Sequence, residues 1–315
     1  MLNVINLFVK TNLVLTFIVF CFKSNGQIIT LDTTKIEAVD VQVKKNFDKD
    51  DFIRMIRTDT SFYRAFKNLK MYPHSATHHV QVFNKNWQPI GNMTRKSKHF
   101  SNGSKGWMVI DDEVTDGKYY TKNGSHKYFT AEMYDKVFFR EDTFNVENTV
   151  GVAYEQERLR GMSTKDKYYE KLKTFMFSPG TGVKGVPIIG KKLNIYDGKM
   201  MEFYDFNLEK TFFKDTIPVF KFSVVQKPST DEKDIVIQQI ITFYDRRTMQ
   251  VLARSYMIKD KNVLMDFNIK MYVELKRDYN EYLPVLIKYN GEWDVPFKKP
   301  ERIKFKMICS NYLSP

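Results

Sequence analysis

The sequence has 315 residues, 43% hydrophobic and 15% aromatic, with 26 Phe and 18 Tyr. That apolar mass is enough for a core and excludes a disordered chain. The formal charge of +13 is carried by lysines spread along nearly every predicted strand instead of a basic helix, which argues against nucleic acid as a partner.

The first 26 residues read as a cleavable secretory signal. Lys10 precedes an apolar run from Leu13 to Phe22, and Ser24 and Gly26 place small residues three and one before a cut ahead of Gln27. A bilayer span needs roughly 20 apolar residues, so this run is too short to cross. Phe20 before Cys21 argues against lipid attachment there. Loss of the segment removes Lys10 and Lys23 and no acid, which lowers the formal charge from +13 to +11. Residues 27–315 show no low-complexity linker and no internal repeat, and read as a single domain. Their only cysteine is Cys309, so an intramolecular disulfide and a multi-cysteine metal cluster are both excluded.

Ile36, Val39, Val41 and Val43 suggest a first extended strand. From Asp48 the period changes: Phe52, Ile53, Met55 and Ile56 recur at helical spacing behind three acids. Asp59-Thr60-Ser61 restarts the pattern with Phe62, Phe66 and Leu69, predicting two short helices that end before Pro73. Beyond Ala76 the period falls to two. Strands are predicted over 78–83, 90–97, 106–110 and 118–121, divided by turns at 84–86, Asn102-Gly103, Asp116-Gly117 and Asn123-Gly124. The stretch 130–205 is less regular, and its clearest element is a helix over 164–177. There Tyr168, Tyr169, Leu172, Phe175 and Met176 form one apolar face, closed by Pro179-Gly180. In 266–276, Phe267, Ile269, Met271, Val273 and Leu275 alternate with polar neighbours, as do Ile303, Phe305 and Met307, which only a strand explains. About six antiparallel strands are predicted from Phe206 to the end, with Asp245-Arg246-Arg247, Asp260-Lys261-Asn262, Asp278-Tyr279-Asn280 and Asn290-Gly291 between them.

Familiar motifs fail on context. Residues 180–185 spell GxGxxG, but a helix precedes them and Pro187 follows, whereas a dinucleotide site needs a strand before and a helix after. Residues 185–192, GVPIIGKK, end in Lys192 where a phosphate-binding loop needs a magnesium-holding hydroxyl. His74, His78 and His79 form the only histidine cluster. On a strand His78 and His79 point to opposite faces, so structural histidines are expected rather than a zinc site. No nucleophile with an adjacent base is visible, and neither catalysis nor a cofactor is expected.

A signal peptide, early helices, a strand meander, a central helical excursion and a longer meander together resemble, over about residues 48–310, the periplasmic lipoprotein-carrier and outer-membrane lipoprotein-sorting-like proteins. Segments such as Asp59-Thr60-Ser61-Phe62-Tyr63, Phe177-Ser178-Pro179-Gly180, 244–249 (YDRRTM) and 293–299 (WDVPFKK) resemble exported proteins of Bacteroidetes-type bacteria. The resemblance implies a mainly β fold with helices (α+β): a strongly curved antiparallel sheet or incomplete barrel with helices packed as plug or lid, in the periplasm or cell envelope. It carries no catalytic residues. The expected activity is binding of a hydrophobic small molecule or lipid on the concave face, lined by Phe267, Ile269, Met271, Val273, Leu275, Ile303, Phe305 and Met307. The expected lid carries Tyr168, Leu172, Phe175 and Met176. A membrane surface or envelope proteins are further candidate partners. The alternative is a non-catalytic structural or interaction protein of the envelope with a filled core, and an enzyme is the third class.

Overall fold

The structure is a computed structural model that describes residues 49–57, 59–139, 142–146, 177, 179–180, 192–261, 266–294 and 298–315. The signal segment, the strand read at 36–43 and the helix over 164–177, apart from Phe177, lie outside the described residues.

Two helices open the described chain, as the change of period requires. In α1 (Lys49–Ile56), Asp50 and Asp51 occupy the first turn, where carboxylates complement the helix dipole. Its Phe52 is fully buried, with ring centroids 5.0 Å from both Phe222 and Tyr244. In α2 (Ser61–Met71), Phe62, Ala65, Phe66 and Leu69 face inward, and Asn68 donates to the Tyr282 carbonyl oxygen at 3.2 Å. Tyr72 then turns extended ahead of Pro73.

The strands are β1 (His74–Phe83), β2 (Pro89–Ser101), β3 (Lys105–Gly117), β4 (Phe144–Asn145), β5 (Tyr204–Phe213), β6 (Ile217–Gln226), β7 (Ile237–Asp245), β8 (Val251–Lys261), β9 (Asp266–Asp278), β10 (Glu281–Asp294) and β11 (Glu301–Ser310). Helix α3 (Phe129–Phe138) lies between β3 and β4, and the short α4 (Gly198–Met201) precedes β5. The eleven strands among the described residues form one antiparallel sheet in the order β4-β3-β2-β1-β11-β10-β9-β8-β7-β6-β5. Two meanders are joined where the last strand pairs with the first, His78 opposite Met307 and Val80 opposite Phe305. The sheet is open, with β4 and β5 at its ends. This is the curved antiparallel sheet with packed helices that the alternating pattern implies.

The register aligns the inward side chains into rows. One runs Phe206, Val224, Ile240, Tyr256, Met271, Tyr289, Phe305, Val80, Met93, from β5 across to β2. All of these but Phe206 are buried. Strand pleating sends alternate residues to opposite faces, and this row is continuous because the register shifts, as at Pro284/Leu286 and Phe243/Tyr244, fall outside it.

Three local readings are corrected. Residues 118–121 are not a strand: the Asn123-Gly124 turn, with Gly124 at φ +82°, folds the segment back on itself, leaving one bridge, Tyr120 to His126. Asn290-Gly291 is not a turn but lies inside β10. A Cβ on Gly291 would sit 2.4 Å from the Tyr289 ring, so glycine serves close packing there. The C-terminal meander has seven strands, β5–β11, where about six are predicted.

Candidate functional site

All eight predicted lining residues face the helix-bearing side of the sheet and are buried. Phe267, Ile269, Met271, Val273 and Leu275 come from β9, and Ile303, Phe305 and Met307 from β11. They belong to one apolar core together with residues of α1, α2 and α3. Of the eight, Ile303 and Phe305 border the cavity beneath α3. It holds about 30 Å³, with Tyr289, Trp293, Ile303 and Phe305 on the sheet side and Met133, Tyr134, Val137 and Phe138 of α3 above. The aromatic contacts are close: Phe305 stacks on Tyr289 at 4.7 Å between centroids and lies 4.7 Å from Tyr134 and 5.2 Å from Phe138. Trp293 donates its indole N–H to the Tyr289 hydroxyl at 2.8 Å, so neither polar atom is orphaned in this apolar wall.

The helix over this cavity is α3. The four predicted lid residues, Tyr168, Leu172, Phe175 and Met176, lie outside the described residues. Two polar anchors hold α3 in place. At its N-terminus the Glu301 carboxylate accepts from the Phe129 and Thr130 amides at 3.2 and 2.9 Å and from the Thr130 hydroxyl at 2.8 Å. A negative group there meets the positive end of the helix dipole and satisfies amides that have no intrahelical partner.

The second anchor is a buried polar network absent from the expectations. Arg95 on β2 is 1% exposed. Its two terminal nitrogens donate to the two Asp135 oxygens at 2.9 and 3.0 Å, and its Nε donates to Glu113 at 2.5 Å. Tyr120 bridges Arg95 and Glu113, His126 Nε2 contacts Asp135 at 2.8 Å, and the Phe139 ring lies 4.3 Å from the guanidinium. Burial by itself would raise the Asp135 carboxyl, but hydrogen bonds from His126 and Arg95 hold it below its usual range. The arrangement ties α3 to β2 by a bidentate, charge-assisted pair.

Beside it, His78 is fully buried between the Tyr134 hydroxyl (2.6 Å from Nδ1) and Ser97 Oγ (2.8 Å from Nε2). Burial lowers its pKa to about 4 and that of His74 to about 3. His79 is exposed on the other face. Among the described residues no three His, Cys, Asp or Glu side chains are grouped to hold a metal. Cys309 is buried, and desolvation pushes its thiol up to about 12.

No protein-family model matches the sequence, and no curated protein matches it. Among solved structures the chain is similar to a domain from Vibrio parahaemolyticus assigned to outer membrane lipoprotein sorting, at 12% identity and TM-score 0.27, covering 84% of this chain and 93% of that one. It is also similar to a DUF1329 family protein from Desulfovibrio piger (10% identity, TM-score 0.25, 81% and 92% covered). A third is a LolA superfamily protein from Nitrosomonas europaea (7% identity, TM-score 0.22, 81% and 92% covered). These include the lipoprotein-sorting group that the sequence resembles.

Proposed function

We propose that this chain is an exported envelope protein that binds a hydrophobic ligand, a lipid or acyl group, between the concave face of the sheet and α3. The observation that carries this reading is the apolar cavity at Ile303 and Phe305, continuous with an apolar row across the sheet and roofed by a helix that two polar anchors hold. The cavity of about 30 Å³ has room for a water or two and is far too small for an acyl chain. A longer chain enters by displacing α3. Burial of about ten methylenes is worth roughly 8 kcal/mol. Each charge-assisted hydrogen bond given up costs on the order of 1.5–3 kcal/mol, so an acyl chain is energetically able to open the site when it shifts α3 with most of the five anchor bonds kept.

The small cavity favours a second reading, a structural or interaction protein with a filled core. Titration with a fluorescent fatty acid separates the two. Under the first reading the wild type binds the probe, and Glu301→Gln, which weakens the N-terminal anchor of α3, binds it more tightly with its circular dichroism unchanged. If neither protein binds the probe, the filled-core reading replaces the first.

A further inference from the structure

The register gathers on the convex face what the sequence spreads along the chain. Outward positions of β9, β10 and β11 form two adjacent rows: Tyr272, Lys288, Lys306 and Lys270, Asn290, Lys304. On β1 and β2 the same rows continue with His79, Thr94, Gln81 and Asn92, so no acid falls within these rows before Asp116 on β3, three strands beyond β11. All four lysines are exposed, and none forms an ion pair with a carboxylate among the described residues, unlike Lys214 with Glu274 or Lys221 with Glu209. Lys288 and Lys306 are direct cross-strand partners, a placement in which like charges repel.

Two further features lie within or beside the block. A depression of about 310 Å³ opens between Lys270 and Lys288, bordered by Ser255, Tyr272, Asn290 and Gln239, with Met257 beside them and Tyr256, Met271 and Tyr289 at its base. Two ammonium groups, two hydroxyls and two amides around one hollow are the donors that a phosphate ester takes. Away from the hollow, at the edge of the lysine block, stands Trp87, 37% exposed, with Lys304 Nζ 4.7 Å from the centre of its ring.

We propose that the convex face of β9, β10 and β11 is a docking surface for an anionic phospholipid bilayer. A headgroup phosphate sits in the hollow between Lys270 and Lys288, and Trp87 rests in the interfacial layer. Strands lie about 4.8 Å apart, so the four charges are spread over roughly 10 Å. Separate cations at that spread match an array of separate phosphates better than one small anion. An indole at the edge of a lysine field suits the water–bilayer boundary. The proposal concerns the face opposite the cavity and does not depend on the ligand reading.

Co-sedimentation of the full chain with vesicles tests it. Vesicles of phosphatidylcholine mixed with phosphatidylglycerol should bind the protein, phosphatidylcholine alone should not, and added salt should release it. One lysine near such a surface changes binding about fivefold, so Lys288→Gln with Lys306→Gln should weaken it about twenty-five-fold. The charge-matched control Lys122→Gln with Lys210→Gln, at exposed positions elsewhere, should leave binding near the wild-type value. Absence of binding, equal binding to both vesicles, equal loss in the control, or capture of duplex DNA without vesicle binding would each overturn the proposal.

Discussion

Acid should destabilise this protein through His74 and His78. Both rings are at most 3% exposed, and burial lowers their pKa values from 6.5 to about 3 and about 4. Above pH 6.5 both are neutral in the folded and the unfolded chain, and neither makes stability depend on pH. As pH falls below 6.5 the unfolded chain takes up protons that the folded chain refuses, and the loss grows until pH reaches the folded values. At pH 5, 1.5 units below 6.5, each histidine accounts for about 2 kcal/mol, or about 4 kcal/mol for the pair. That is a large share of the roughly 5–15 kcal/mol typical of a folded domain. His99, also shifted down by burial, acts in the same direction. Urea titrations followed by tryptophan fluorescence at pH 8 and pH 5 measure the difference. His74→Gln with His78→Gln should shrink it by about 4 kcal/mol, whatever the variant's stability at pH 8. If the double variant keeps the full wild-type pH dependence, these rings are not the buried neutral groups the structure places there.

Four other outcomes follow from single contacts. Arg95→Met strips Asp135 and Glu113 of the guanidinium they share and should cost about 3–5 kcal/mol in chemical denaturation; adding Asp135→Asn should recover part of it. Met271→Lys places an ammonium at a position 3% exposed and should lower the melting temperature sharply, whereas Lys270→Met, on the opposite face, should change stability by under about 0.5 kcal/mol. Gly291→Ala should push the Tyr289 ring off its stack with Phe305 and cost about 1–3 kcal/mol, read from thermal melts. Cys309 should react with a thiol reagent only as fast as the protein unfolds, because burial holds it as the neutral thiol.

The C-terminal meander was legible because its alternation is clean: in β9 every second residue from Phe267 to Leu275 is apolar, and each one is buried. The helix period after Asp48 was equally plain. The polar half of the sheet was not legible. In β2 the inward positions Arg95, Ser97 and His99 are as polar as their outward neighbours Lys96 and Lys98, so the period-two signal vanishes there. Arg95 tolerates burial only because Asp135, 40 residues further on, meets it through space. Helix α3 left a fainter trace. Phe129, Met133, Tyr134, Val137 and Phe138 recur at helical spacing, but the group that caps the helix, Glu301, lies far along the sequence. The convex lysine block shows the same limit. Each lysine looks like an ordinary solvated residue until the register sets Lys288 opposite Lys306.

The central claim, that the concave face takes an apolar ligand beneath α3, is tested most directly by native mass spectrometry of the protein purified from its host without detergent. The account expects a population heavier than the polypeptide by the mass of one lipid or fatty acid. That population should be lost when Phe305→Arg, at the floor of the cavity, is purified in the same way and shown by circular dichroism to be folded. A bare polypeptide mass for the wild type, together with no uptake of added fatty acid, would contradict the claim and leave a filled core.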